Sequence, residues 1–529
     1  MARTALFLLA FVLVITGASW IRFHGLDLTW DDREDENYSW YRPLHGDEAV
    51  QGRKLGKLFD KHDYVYRPDD LHGPFLIYST VPLAWLRGET TTQTLSERTL
   101  RTVPVLYGLG LIVLLWAWRR EMGLVPMIAS GCLIAISPIM VFYSRYYIME
   151  MPMVFLVTVA MIAAWRYLQK PGLLWAIVFG VAGGLTHATK ETGAISFLTM
   201  ALAALALLLV NRSLLKDKGF AWKHLWWSLG LGLFVSMLCF SHFFKHPEAI
   251  WESVRSYFLY ADRAEGKGHQ SPWWTYLKTL AWNRERVGGP IWSEAMTLGL
   301  GCLGMILAFT PWVRRVGNPL FWRWLALYTL FTAVIYSVVP YKTPWSMVCW
   351  VYTLMLMAGL TVGILAQVKR PYWIVPILVA VGFAAGLWNL NQQTKNSLTR
   401  FKTDRRNPFV YAHTSFHVLS LVRNVFDIAK VHPDGKDLKI ALCDKDVGWP
   451  LPWYFREFSQ LGIARTLPDE RKTLLDQDVI IITPAYRDDL LAVIGDTHRL
   501  DSFYGIRDTT KILSYVKKDL YEKFLQSRD

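Results

Sequence analysis

The chain has 529 residues, 53% of them hydrophobic and only 19% charged, with 25 Trp. A soluble domain carries about 25% charged residues, so an ordinary soluble or disordered protein is excluded. The formal charge of +14, from 57 Lys and Arg against 43 Asp and Glu, would suit nucleic acid, but the basic residues are scattered through short loops between apolar stretches, which is a membrane pattern.

A spanning helix needs about 20 mostly apolar residues. Eleven stretches qualify as candidates: 4–20, 103–118, 125–142, 151–167, 173–187, 194–210, 226–244, 295–312, 321–339, 346–366 and 372–390. Residues 76–87 are apolar but short and contain Pro82, so they are predicted to form a juxtamembrane helix. Gly17-Ala18-Ser19 offers a signal-cleavage site, but the first stretch is read as a retained span. With residue 1 cytoplasmic, the inner loops receive Arg119, Arg120, Arg166, Lys170, Arg212, Lys216, Lys218, Lys223, Arg314, Arg315, Arg323, Lys369 and Arg370, against only Glu121 and Asp217. The positive-inside bias therefore predicts the orientation. Cys132, Cys239, Cys302, Cys349 and Cys443 form no CxxC pair, which supports neither a disulfide framework nor a Cys-rich zinc site.

Residues 391–529 are expected to form a separate α/β domain outside the membrane. Residues 437–443 and 477–483 read as buried strands, 498–516 as two more, and a basic helix closes the chain. The predicted fold is thus a polytopic α-helical membrane domain over 1–390 followed by an extracytoplasmic α/β domain.

Several polar groups fall at the predicted outer ends of spans, where charge is costly and tends to be functional. His45-Gly46-Asp47-Glu48 follows the first span; adjacent carboxylates do not share a helix face, so one can take a proton while the other orients a partner or binds a cation. The plain alternative is a solvated loop. Arg145, in Tyr143-Ser144-Arg145, and Glu150 flank the turn after the third span. Arg145 can fork onto phosphate oxygens or snorkel from an aromatic belt. Lys190-Glu191, between the fifth and sixth spans, and Lys342, after the ninth, break the positive-inside bias. Lys190 therefore needs an anionic partner, either a ligand or Glu191. His72-Gly73-Pro74 and Gly268-His269-Gln270-Ser271-Pro272-Trp273-Trp274 can hold metal, phosphate or sugar, or act as ordinary hydrogen-bonding loops. The acidic run Asp31–Glu36 lacks EF-hand spacing and reads as a solvated loop.

The order of these groups is more specific than any one of them. A carboxylate pair after the first span, Ser-Arg…Glu after the third and Lys-x-x-Gly after the fifth resemble the GT-C glycosyltransferases that use polyprenyl-phosphate sugars, near the protein O-mannosyltransferases and the lipid A aminoarabinose transferase. The His-Gly-Pro, Gly-His-x-x-Pro-Trp-Trp and Val-Pro-Tyr-Lys-Thr-Pro-Trp segments, with Trp449-Pro450-Leu451-Pro452-Trp453-Tyr454 further on, resemble the Agl23-type branch, labelled flippase-activity-associated. The resemblance implies sugar transfer from a polyprenyl phosphate to a protein, lipid or glycan acceptor at the extracytoplasmic face of the cell's inner membrane. It implies Asp47 as catalytic base supported by Glu48, and Arg145 and Lys190 facing the donor phosphate; Glu150 stands at the family's second acidic position, whose role varies among relatives, and the residues themselves make Glu150, His72, His269 and Lys342 further donor-binding candidates. A divalent metal on Asp47 and Glu48 is left open. A flippase or transporter, or a non-catalytic scaffold for lipid-linked sugars, is the alternative; the former predicts internal repeats and midplane charges, neither of which the sequence carries.

Overall fold

The computed structural model describes residues 2–68, 72–210, 221–264, 270–285, 287–368, 372–445, 448–468, 470–507 and 510–528. Helix α1 (Ala2–Phe23) leads through the exposed acidic run at 31–36 into α2 (Gly46–Lys61), an amphipathic helix, and α3 (Phe75–Leu86), the predicted juxtamembrane segment. There follow α4 (Glu97–Leu114), α5 (Arg119–Met122), α6 (Leu124–Ile136), α7 (Pro138–Ser144), α8 (Glu150–Gln169), α9 (Leu173–His187), α10 (Gly193–Val210) and α11 (Trp222–Phe240). Then come the amphipathic α12 (Glu248–Ala264), the short α13 (Thr275–Ala281), α14 (Ala295–Leu307), α15 (Pro319–Val338), α16 (Val348–Leu365) and α17 (Ile374–Leu398).

All eleven predicted span positions are helical. Among the described residues, eight helices are long and apolar enough to cross a bilayer, and α6 with α7, bent by 59°, make a ninth if taken as one. The remaining two, α9 and α14, have 15 and 13 residues, short of the ~20 a straight crossing uses. The bend follows from Pro138, which cannot continue the backbone ladder. The groups it frees are satisfied by side chains: Arg22 donates to Ile134 C=O at 2.8 Å and Ala135 C=O at 2.7 Å, Thr394 Oγ1 to Ile136 C=O at 2.5 Å, and Ile139 N–H donates to the Glu294 carboxylate at 3.3 Å. Irregular backbone at membrane depth requires such partners.

Span α16 is central, with 94% of its apolar window buried, whereas only 6% of that of α17 is covered. Leu6, Leu9, Leu13, Trp226, Leu233 and Val381 are exposed on outward faces, the surface lipid would cover. Close helix contacts rest on small residues: a Cβ on Gly180 of α9 would come within 2.1 Å of Ser228 C=O in α11, a spacing only glycine permits.

After α17 the chain forms a five-stranded sheet of order β2-β1-β3-β5-β4, from β1 (Ile440–Cys443), β2 (Leu461–Ala464), β3 (Val479–Ile482), β4 (His498–Arg507) and β5 (Thr510–Lys517). β1 pairs parallel with β2 and β3, while β5 pairs antiparallel with β3 and β4. Four of these strands fall where the hydrophobic runs predict them. β2 escapes because its sequence, Leu-Gly-Ile-Ala, is half-exposed at the sheet edge and carries neither a long apolar run nor alternation. The helix Lys518–Gln526 closes the chain as predicted.

The sheet domain is packed onto α2. A Cβ on Gly52 would lie 2.6 Å from the Trp453 ring. Tyr454 Oη accepts from Leu44 N–H at 2.9 Å and meets Tyr41 Oη at 3.1 Å. The Trp-Pro-Leu-Pro-Trp-Tyr segment thereby clamps the loop that carries the adjacent carboxylates.

Candidate active site

The two carboxylates sit in the first turn of α2 but face different surroundings. His45 is the N-cap: its Nδ1 accepts from Asp47 N–H at 3.0 Å, while Glu48 accepts from His45 N–H at 2.9 Å, a reciprocal capping box. With Nδ1 accepting, the proton is on Nε2, which donates to Tyr411 C=O at 3.1 Å. Burial holds His45 below the usual histidine range, more than Asp47 and Glu48 raise it. The cap is therefore a neutral imidazole.

Glu48 is fully buried. Arg42 reaches it at 2.9 Å, Arg101 at 3.1 Å, and Tyr147 N–H donates at 3.0 Å. Burial alone would raise its pKa, but the Arg101 and Arg42 guanidinium groups outweigh that and hold it far below the carboxylate range. It is a fixed anion. Since both of its oxygens are taken by guanidinium groups, the Asp47–Glu48 pair does not fit a divalent cation. Among the described residues no three His, Cys, Asp or Glu side chains converge as a metal cage.

The Asp47 side chain is 36% exposed and lines a cavity of about 490 Å³. Its walls include His45, His72, Lys190, Glu191, Tyr257, Tyr260, Tyr341, Trp345, Tyr411 and Arg507, with Ala194, Ile195, Tyr336 and Val339 from the ends of α10 and α15. A small adjoining recess is lined by Asp47, Gln51, His72, Glu150 and Trp345. Lys190 is buried and ion-paired with Glu150 rather than with its neighbour Glu191. Glu191 instead lies 2.9 Å from His72 Nδ1, which is also 2.6 Å from Tyr260 Oη on α12. Although burial opposes it, the His72 contact keeps Glu191 below the usual range.

The structure thus brings together Asp47, His72, Lys190 and Glu150 from segments far apart in sequence. It does not bring Arg145 there. The Arg145 guanidinium donates to Ile21 C=O at 3.2 Å and His24 C=O at 2.6 Å, and lines a separate narrow crevice with Arg42, Arg101 and Lys402. The turn after α7 directs it back against the end of α1, so the donor-facing role implied by the resemblance has no geometric support. Lys342 is also directed away: its Nζ bonds Val339 C=O and sits over the Tyr276 ring at 5.7 Å, while the flanking Tyr341 and Thr343 line the cavity. His269 lies outside the described residues; the next residue, Gln270, bridges to Tyr341 at the cavity rim.

Sequence reasoning missed Arg42 and Arg101, the counter-charges of Glu48. It also missed Tyr411 and Arg507, which the sheet domain contributes. Both arginines sit in polar stretches outside the predicted spans, so the sequence carried no signal for them.

Residues 76–247 match the family model for dolichyl-phosphate-mannose-protein mannosyltransferase. The whole chain superposes on ArnT from Cupriavidus metallidurans bound to undecaprenyl phosphate, with TM-score 0.59 and 15% identity, covering 98% of this chain and 99% of that one. The fold is that of the GT-C glycosyltransferases. The archaeal oligosaccharyltransferase AglB from Archaeoglobus fulgidus, in complex with an inhibitory peptide and a dolichol-phosphate, is similar too, with TM-score 0.56 and 11% identity over 99% of this chain and 78% of that one. No curated protein matches the chain. This fold and the apolar helices together make the chain an integral membrane protein.

Proposed function

We propose that this is a membrane glycosyltransferase that moves a sugar from a polyprenyl phosphate to an acceptor, with Asp47 as the base. The observation that carries this reading is one cavity holding both a half-exposed carboxylate fixed at a helix N-terminus and a buried lysine, against apolar helix ends that suit a lipid tail. The acceptor, a hydroxyl or amine of protein, lipid or glycan, attacks the anomeric carbon and gives its proton to Asp47. The bond from the anomeric carbon to the phosphate oxygen breaks, and polyprenyl phosphate leaves with the bonding pair. A single displacement inverts the anomeric configuration. Lys190 contributes positive charge where the phosphate charge grows. Glu48 touches no reacting atom; with Arg42 and Arg101 it fixes the turn that aims Asp47. His72 and Glu150 act through Glu191 and Lys190 respectively.

The positive-inside bias supports placing this cavity and the sheet domain of residues 391–529 on the extracytoplasmic side of the inner membrane. The test is release of free polyprenyl phosphate from a panel of polyprenyl-phosphate sugars with candidate acceptors present. Wild type is expected to release it and folded Asp47→Asn is not; equal release by both would remove Asp47 from the mechanism.

A further inference from the structure

Among the described residues, the cavity contains one strong cation that no carboxylate balances. Lys190 is compensated by Glu150 and His72 by Glu191. Arg507, half-buried on the wall shared with Asp47, makes no side-chain hydrogen bond and no ion pair among the described residues.

Its position is built. Arg507 ends β4 just past a register shift between Gly505 and Arg507, and such irregularities re-aim a side chain. The preceding Ile506 C=O accepts from Ser415 N–H at 2.7 Å. Close by in the chain, Thr414 Oγ1 donates to Leu44 C=O at 2.6 Å, and Tyr411 C=O accepts from His45 Nε2 at 3.1 Å. Arg507 and the cap of α2 therefore belong to one hydrogen-bonded unit. The guanidinium rests over the first turn of α2, where a Cβ on Gly46 would lie 3.2 Å from Nη2. That turn is itself the positive end of a helix. A guanidinium beside it adds to a positive locus that favours an anion, and among the described residues Asp47 does not pair with it.

We propose that Arg507 holds the phosphate of the lipid-linked donor, so that the sheet domain completes the active site of the membrane domain. The anion is a lipid phosphate because the same cavity is walled by Ala194, Ile195 and Val339 at the ends of membrane helices, a surface for an apolar tail. A guanidinium forks onto two phosphate oxygens. As the glycosidic bond breaks, the phosphate gains a negative charge. Lys190 shares its charge with Glu150, so Arg507 adds positive charge to what Lys190 supplies. This inference rests on the transfer reading above for its meaning but is tested by binding alone.

The experiment titrates undecaprenyl phosphate into the full-length protein in detergent and follows Trp fluorescence, with undecaprenol as the uncharged control probe. Arg507→Gln is expected to weaken phosphate-lipid binding about 10- to 100-fold, the range for losing a charge-assisted hydrogen-bond pair, while leaving undecaprenol binding and the melting temperature unchanged. Arg507→Lys, which keeps the charge and loses the fork, is expected to fall between. Wild-type affinity for undecaprenyl phosphate in either folded variant overturns the proposal, as does an equal loss for undecaprenol, which would make the residue structural. Asp47→Asn separates the two readings: normal transfer by that variant would remove the base without touching Arg507.

Discussion

Two cation-rich regions flank the first turn of α2, and their contrast separates structure from chemistry. On one side Arg42, Arg101, Arg145 and Lys402 crowd a crevice of about 10 Å³ and are saturated by Glu48, backbone carbonyls and rings. Arg42 lies over Tyr146 at 5.0 Å and Lys402 over Phe416 at 4.8 Å, with Lys402 Nζ also on Ser39 C=O. On the other side Lys190, His72 and Arg507 border a cavity of about 490 Å³ with Asp47. Both regions carry arginine and lysine side chains. Room for a substrate and charge left uncompensated are what distinguish the cavity.

The comparison breaks first if Asp47→Asn keeps activity. That variant is expected to lose about 1,000-fold in polyprenyl phosphate release, within the usual range for removing a general base, and to melt like wild type. Glu48→Gln should act on stability instead: it leaves buried Arg42 without its anion and Arg101 with only Glu97 at 3.3 Å, a loss of about 3–5 kcal/mol measured as thermal melting in detergent. Wild-type melting would mean that Glu48 is not the structural member of the pair.

A smaller effect tests the Lys190 pair. Removing Lys190 alone strands Glu150, so the informative protein is Lys190→Met with Glu150→Gln; it should fold, with half-saturation by donor raised about tenfold, the value of about 1.4 kcal/mol. His45→Ala removes the cap of α2 and is expected to cost about 1 kcal/mol, with His45→Asn recovering most of it because Asn also caps well.

A last effect is a pH slope. Burial, then the neighbouring Arg145 and Arg42 charges, push Lys402 down to about 7, against about 10.4 in an unfolded chain. Between those values the unfolded chain binds more protons, so stability rises with pH through that window and falls as pH drops towards 7. Lys402→Met should flatten the dependence of melting temperature on pH over this range; an unchanged slope would assign it to other groups.

Much of the fold was legible because lipid imposes a long apolar signal. The eleven helical positions, the short α3 and four of five strands follow from apolar runs and their interruptions. Helix ends were less legible: α17 continues to Leu398 through Asn389-Leu390-Asn391-Gln392-Gln393, polar residues that extend a helix once it has left the apolar layer. Within the site, Asp47, His72, Glu150 and Lys190 were legible as charges that break the membrane pattern. Arg145 broke it equally well, and only its bonds to Ile21 and His24 show that it faces elsewhere.

By itself the sequence determined which segments are apolar enough to enter a membrane, which loops carry the excess of basic charge, and where ionisable groups stand without local partners. These depend on composition over a local window. The tertiary structure alone decided that Lys190 pairs with Glu150, that Glu48 is closed off by Arg42 and Arg101, and that Arg507 comes from more than 450 residues away to stand beside Asp47. Charge compensation depends on distances across the folded chain, and identical side chains become either scaffold or site according to which partners packing brings within reach.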